Sequence, residues 1–312
     1  MMKYLYTITL LFSLALNAQT AGDVGKISLS VVMPDNIENL DSSQLSRLES
    51  KISQIVTHAG ISASGYDNSI VIYPKLSLVE SNVVEGGMQN LTVVSVDFGL
   101  FVKQIEGNIL FSSISKTLKG SGATKELAYA NAISRIGVND AEYQAFLEKS
   151  KTKIIQYYES KCSDIVKKAD VLAKTQQYEQ AIGLLLSVPE AATCYDQVQT
   201  KSIEVYKILQ KQNCAKQLQL ANNSLAAKDY GNTLDLLSAI DPASPCFQDS
   251  QKMAKSIEAK LNAEEKKEWD FQMRQYNDSV ALEKQRISAV KDIAVAYYKS
   301  QTSDINYTLI VK

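Results

Sequence analysis

The sequence predicts an α+β protein, an N-terminal antiparallel sheet with two helices followed by an all-α domain of long helices. Three observations carry that prediction. Residues 24–120 are rich in Val, Ile, Ser, Gly and Thr, whereas residues 141–300 are rich in Ala, Lys, Gln, Glu and Leu, compositions that suit strands and helices respectively. Alternating apolar and polar positions recur in the first half, the period of a half-buried strand. In the second half the four cysteines frame an internal repeat with an offset of 52 residues, Cys162 and Cys194 matching Cys214 and Cys246.

The chain opens with Lys3 and an apolar run from Tyr4 to Leu16, then Asn17-Ala18-Gln19. A short positive region, a short apolar core and a small residue at the junction form a secretory signal peptide, expected over residues 1–18. The run is too short for the ~20 residues a membrane-spanning helix needs. No Cys lies near the junction to carry a lipid. The expected mature protein is therefore exported, without an integral membrane segment, in the periplasm or outside the cell.

Residues 19–140 read as strand, helix, three strands and helix. Lys26–Val32 alternates with period two, and Asp41 or Ser42 is placed to cap a helix carrying Leu45, Leu48, Ile52 and Ile55. Ser69–Leu78 is a second strand, with Pro74 marking an early boundary. Leu91–Ile105 and Asn108–Leu118 are long alternating runs around the turn signal Glu106-Gly107-Asn108. Gly120-Ser121-Gly122 leads into a helix with Leu127, Ala130, Ile133 and Ile136 on one stripe. That glycine pair reads as a strand-to-helix turn needing unusual backbone angles. It lacks the third glycine of a dinucleotide site and the Gly-Lys-Ser/Thr of a P-loop.

The order of these elements, with Gly120, Gly122, Ala128, Ala130 and Ala132 at the hairpin's end, resembles the small α/β domain of bacterial envelope lipoproteins. That group includes curli-secretion proteins and outer-membrane activators of peptidoglycan synthases. The resemblance implies a domain that docks on an envelope partner.

Residues 141–262 hold the repeat. Sliding by 52 aligns Ala169 with Ala221, Tyr178 with Tyr230, Leu185 with Leu237, Val188 with Ile240 and Tyr195 with Phe247. Each unit reads as a long helix, a tight bend at Gln177-Tyr178 or Asp229-Tyr230, and a short helix. The spacing of Ala169, Tyr178, Ala181, Leu185 and Val188 resembles a tetratricopeptide hairpin, with Thr233 departing from the small residue usual in the second unit. The stretch 194–228 reads as one helix. Twenty residues at 1.5 Å put Cys194 and Cys214 about 30 Å apart, beyond the ~6 Å between disulfide-bonded Cα atoms. Each hairpin instead returns the chain to its starting level, so Cys162–Cys194 and Cys214–Cys246 are the expected bridges, and export permits their oxidation. A four-thiolate zinc site is the alternative, without any Cys-x-x-Cys pair to favour it; free core thiols are a third.

Residues 263–312 form the last segment, and residues 249–300 read as one long helix. Trp269, Met273, Tyr276 and Val280 recur in steps of four and three, as a coiled-coil seam does, and make this a candidate interaction or self-association helix; packing on its own repeat domain is the other use of the stripe. Asn306–Lys312 has strand character and could dock on a sheet edge.

Composition bounds function. Lys plus Arg is 33 against 34 Asp plus Glu, which gives no nucleic-acid footprint. The one histidine, His58, excludes His-pair metal motifs and sits where a cation favours a helix C-terminus. No nucleophile elbow appears. The expected protein is non-enzymatic, needs no cofactor, and binds or scaffolds an envelope protein or peptide segment. A glycan- or peptidoglycan-binding module using exposed tyrosines is the alternative, and a carboxylate-dependent hydrolase the second alternative.

Overall fold

The computed structural model describes residues 26–34, 40–64, 69–85, 90–259, 261, 263–285 and 289–301. The signal-peptide expectation over 1–18 and the strand-like tail at 306–312 lie outside the described residues.

The first half is a five-stranded sheet, β1 (Ser28–Val31), β2 (Ser62–Ser64), β3 (Ile70–Val84), β4 (Leu91–Gln104) and β5 (Ile109–Gly122), in the order β2-β1-β3-β4-β5. β3, β4 and β5 form the expected antiparallel meander. The sheet as a whole is mixed, not antiparallel, because β1 runs parallel to both β2 and β3. The cause is a short crossover. Helix α1 (Ser42–His58) returns the chain to the far side of β1, where Ser62-Ala63-Ser64 adds a three-residue strand. Three small residues carry no readable periodicity.

β3 also runs past Pro74 to Val84. Beyond Ile72 no strand among the described residues pairs with β3 on the side away from β4, so Pro74 costs no ladder bond there. Val94, Val96, Phe98, Leu100 and Val102 of β4 all point to the face covered by helices, and all are fully buried. α1 supplies Leu48, Ile52, Ile55 and Val56 to that layer, each fully buried and each contributing about 1.5–3 kcal/mol. Asp41 caps α1 in a reciprocal box with Gln44, its carboxylate taking the Gln44 N–H at 2.8 Å.

Helix α2 (Lys125–Ser134) lies across β4 and β5. Here Gly120 and Gly122 act differently from the turn expected. Both belong to β5, and neither has a positive φ. A Cβ on Gly120 would lie 2.6 Å from the Ala132 nitrogen and closer still to the Ala128 carbonyl; one on Gly122 would lie 2.7 Å from the Ala128 nitrogen. The glycines and the spaced alanines exist together because the helix backbone rests on the strand backbone.

Residue 140 is a weld between the halves. Asp140 caps the 34-residue helix α3 (Ala141–Lys174) and pairs with Lys116 of β5, whose ammonium sits 4.9 Å over the Tyr143 ring. α3 then buries Tyr143, Phe146, Leu147, Ile154 and Tyr158, and the same core runs on through Cys162 to Leu209. Tyr158 meets the Ser69 hydroxyl at 3.2 Å, and burial pushes its phenol well above its ordinary pKa.

The second half alternates long and short helices: α3, α4 (Tyr178–Leu186), α5 (Tyr195–Ala226), α6 (Tyr230–Ser238) and α7 (Phe247–Glu258). The 52-residue offset holds to the residue, since α4 and α6 start 52 apart, as do α5 and α7. The bends repeat too. Gln176 and Lys228 take φ of 62° and 60°, and Gln177 and Asp229 donate their N–H groups to Leu172 and Ser224 carbonyls at 2.8 and 3.1 Å. This is a left-handed helix stop built without glycine.

Candidate binding surface: two stapled hairpins and the helices that cover them

Cys162 is bonded to Cys194 and Cys214 to Cys246, with Cα separations of 6.4 and 6.0 Å. Each bridge joins a long helix, α3 or α5, to the N-cap residue of the helix that follows its short partner, Cys194 for α5 and Cys246 for α7. The thiols stand in two pairs, one at each end of a 20-residue stretch of α5, rather than converging as four zinc ligands would.

Equivalent positions do equivalent work. Ala169 and Ala221 of the long helices are both fully buried, as are Leu185 and Leu237 of the short ones. Thr233 replaces Ala181 without leaving an unmade bond, because its hydroxyl donates to the Asp229 carbonyl at 2.6 Å. Tyr178 is buried, whereas Tyr230 is half-buried.

The outer faces of the short helices are where the two units differ. The C-terminal region comprises two further helices after α7, α8 (Ala263–Gln285) and α9 (Ala289–Gln301), in place of one rod. α8 packs on α6, and α9 packs on α4. Trp269, Tyr276 and Val280 are buried in the second hairpin's cluster and Met273 packs against it, so this stripe is taken up inside the chain. A straight helix through 249–300 could not double back over both hairpins.

α4 accepts α9 at close range. Gly183 leaves room for Tyr297, whose nearest ring atom would lie 2.5 Å from a Cβ there. The Tyr297 hydroxyl reaches Glu106 in the β4–β5 turn at 3.5 Å, which ties α9 to the sheet. Burial raises the pKa of Glu106, partly offset by Lys168 and by the Tyr297 hydrogen bond. At the second unit Asp235 stands where Gly183 stands in the first, and α8 sits off it. A groove of about 300 Å³ opens between α6 and α8, lined by Gly231, Asp235, Glu268, Phe271 and Gln272, with Phe271 52% exposed. A second groove, about 410 Å³, lies between α1 and α2 under Arg47 and Lys51; Lys51 spends its ammonium on the Ser134 and Ile136 carbonyls at the end of α2.

Sequence reasoning missed Asp241, in the loop after α6. It receives the Tyr206 hydroxyl at 2.5 Å and the Gln210 amide at 2.6 Å from α5, and the Ala243 N–H at 2.8 Å. Burial raises its pKa, but these three donors outweigh burial and hold it below its ordinary value. A depressed carboxylate stabilises the fold above its unfolded pKa of about 4 and loses that contribution as pH falls through the folded value. Asp241→Asn is therefore expected to flatten the fall in stability between about pH 4 and 2, read by urea unfolding at each pH; an unchanged slope would remove Asp241 from the acid response. No local pattern marks its two side-chain donors, which lie 31 and 35 positions away.

His58 is exposed in the last turn of α1, and the carbonyl that follows, Ala59, is taken by Lys151 at 2.9 Å. Among the described residues no helix is long and apolar enough to cross a membrane, and no cluster of metal-ligating side chains occurs. None of the tyrosines whose side chains are described is exposed.

The fold and the surface define an α+β protein that carries two disulfide-closed helical hairpins, each covered by a C-terminal helix. No protein-family model matches the chain, and no curated protein matches it in sequence. Among solved structures it is similar to a minor lipoprotein from Acinetobacter baumannii, at 16% identity over 40% of this chain and 94% of that one, with a TM-score of 0.27.

Proposed function

We propose that this chain is an exported, non-enzymatic protein-binding or scaffolding protein of the bacterial envelope. The observation that carries the reading is the repeated unit itself. Each unit is clamped by its own disulfide, and each presents the outer face of its short helix to another helix. A clamped hairpin holds that face in place before a partner arrives, which lowers the ordering cost of binding. Disulfide clamps also belong to oxidising compartments outside the cytoplasm. The occupant that suits such a face is an amphipathic helix or peptide segment; α8 and α9 are the occupants inside this chain.

The tyrosines whose side chains are described are buried or half-buried, and protein binding is our reading. Crosslinking of tagged full-length chain in intact cells is expected to recover the same envelope protein in repeated trials. The yield should fall when Cys162 and Cys194 are both replaced by Ala. Recovery of no reproducible protein partner would overturn the proposal.

A further inference from the structure

Of the two helices that cover the hairpins, α9 is the lightly held one. α8 sinks Trp269, Tyr276 and Val280 into the core of the second unit. α9 has 13 residues, and among its described side chains Ala294 alone is buried, whereas Val290, Ile293, Val295 and Tyr297 are half-buried. A helix of that length is marginal by itself in water, so α9 draws its stability from the surface it lies on. That surface is the converse case. Tyr178, Ala181, Ile182, Gly183, Leu184 and Leu185 of α4 are all buried, and α4 packs against α3, α5 and α9. An apolar helix placed like this needs a cover, and the one it has leaves at small cost.

The contact between α4 and α9 has a specific shape. A Cβ at Gly183 would lie 2.5 Å from the nearest atom of the Tyr297 ring, with two more ring atoms at 3.0 and 3.1 Å, so the ring rests where any other residue would stand. From there its hydroxyl reaches the Glu106 carboxylate at 3.5 Å. The second unit lacks this seat, because Asp235 occupies the position equivalent to Gly183. The two hairpins are thus clamped alike, and the first alone carries a glycine seat for a ring.

We propose that the face of α4 around Gly183 is the partner site, that its ligand is an amphipathic helix whose tyrosine enters the Gly183 seat, and that α9 is an internal copy of that ligand which the partner displaces. α9 defines the chemistry required: a small residue where Ala294 is buried, and a tyrosine one turn on whose hydroxyl meets Glu106. Because α9 belongs to the same chain, it competes at an effective concentration on the order of millimolar. The affinity a partner sees is reduced by the fraction of chains whose α9 is undocked. The Cys162–Cys194 bridge ties α3 to the start of α5 on either side of α4, so the seat persists while its cover is exchanged.

The assignment rests on the protein-binding reading, yet its test needs no cellular partner, so its failure and a failed crosslinking are separate results. The probe is a fluorescently labelled peptide of residues 289–301, titrated against the full-length chain and followed by anisotropy. Tyr297→Ala and, separately, Ala294→Glu are each expected to free the chain's own α9, and the peptide should then bind with a dissociation constant on the order of 10 μM. The wild-type chain should bind it on the order of tenfold more weakly, because its α9 competes. Gly183→Ala added to Tyr297→Ala should weaken binding on the order of tenfold by filling the seat, although alanine raises the helix propensity of α4; Gly137→Ala added instead should change nothing. A peptide with alanine in place of the tyrosine that corresponds to Tyr297 should lose a similar factor, in a measurement that leaves the protein untouched. No binding to either released chain, equal binding to released and wild-type chains, or indifference to both Gly183→Ala and the peptide's tyrosine would overturn the proposal.

Discussion

Replacing Cys162 and Cys194 together by Ala is expected to lower the free energy of unfolding by about 3–4 kcal/mol, the chain-entropy value for a loop closed over 32 residues. Cys214–Cys246 closes a loop of equal length, so its entropic contribution is equal. The consequences differ. The first bridge lies inside the core that runs from the sheet through α3, α4 and α5 to Leu209. The second borders a smaller cluster drawn from α5, α6, α7 and α8 around Leu237, Trp269 and Tyr276. Loss of the first should shift the whole unfolding transition. Loss of the second should split it, with the single Trp269 reporting the earlier phase. Denaturant titrations followed by far-ultraviolet circular dichroism and by tryptophan fluorescence check both statements. A loss below about 1 kcal/mol for the first pair would mean that packing alone holds the hairpin.

The second large effect is at Gly120. Gly120→Ala drives a methyl group into the backbone of α2, 2.6 Å from the Ala132 nitrogen and nearer the Ala128 carbonyl. No rotamer relieves a clash between two backbones, so the helix must lift off β5. That movement uncovers Val94, Val96, Ala128 and Tyr129, which form a cluster of their own beneath it. A cost of about 3 kcal/mol or more is expected, at the upper end for overpacking. Gly137→Ala is the control, because its Cβ would meet only the Asp140 Cβ at 3.9 Å, and a change within about 0.5 kcal/mol is expected there. Thermal unfolding of the two variants side by side gives the comparison. Equal midpoints would show that α2 does not rest on the strand as closely as described.

The two cases divide what was legible from what was not. The cysteine pairing was readable because it needs only helix length and direction: 20 residues of helix separate Cys194 from Cys214, while a bend returns each chain to its own partner. The glycines were visible as a pair, and their position before a helix suggested a turn. Their actual role is a close approach between two backbones, and sequence does not state which backbones approach. The same limit applies to the C-terminal stripe. A run of apolar residues in steps of three and four states that one face of a helix is buried. It does not state what buries it, and Trp269, Tyr276 and Val280 prove to be buried in a cluster with residues of α5, α6 and α7.

Local signals of regular period and covalent geometry were settled by the sequence itself: the α+β class, the meander around Glu106-Gly107-Asn108, the cap at the start of α1, the 52-residue duplication and the two bridges. Those features depend on neighbours along the chain, or on rise per residue, and both are written in the order of amino acids. The parallel placement of β1 and β2, the passage of β3 through Pro74, the folding back of α8 and α9, and the anchoring of Asp241 were decided in three dimensions. Each depends on which of several compatible surfaces meet, and that choice is made by total burial and by hydrogen bonds between residues far apart in the chain.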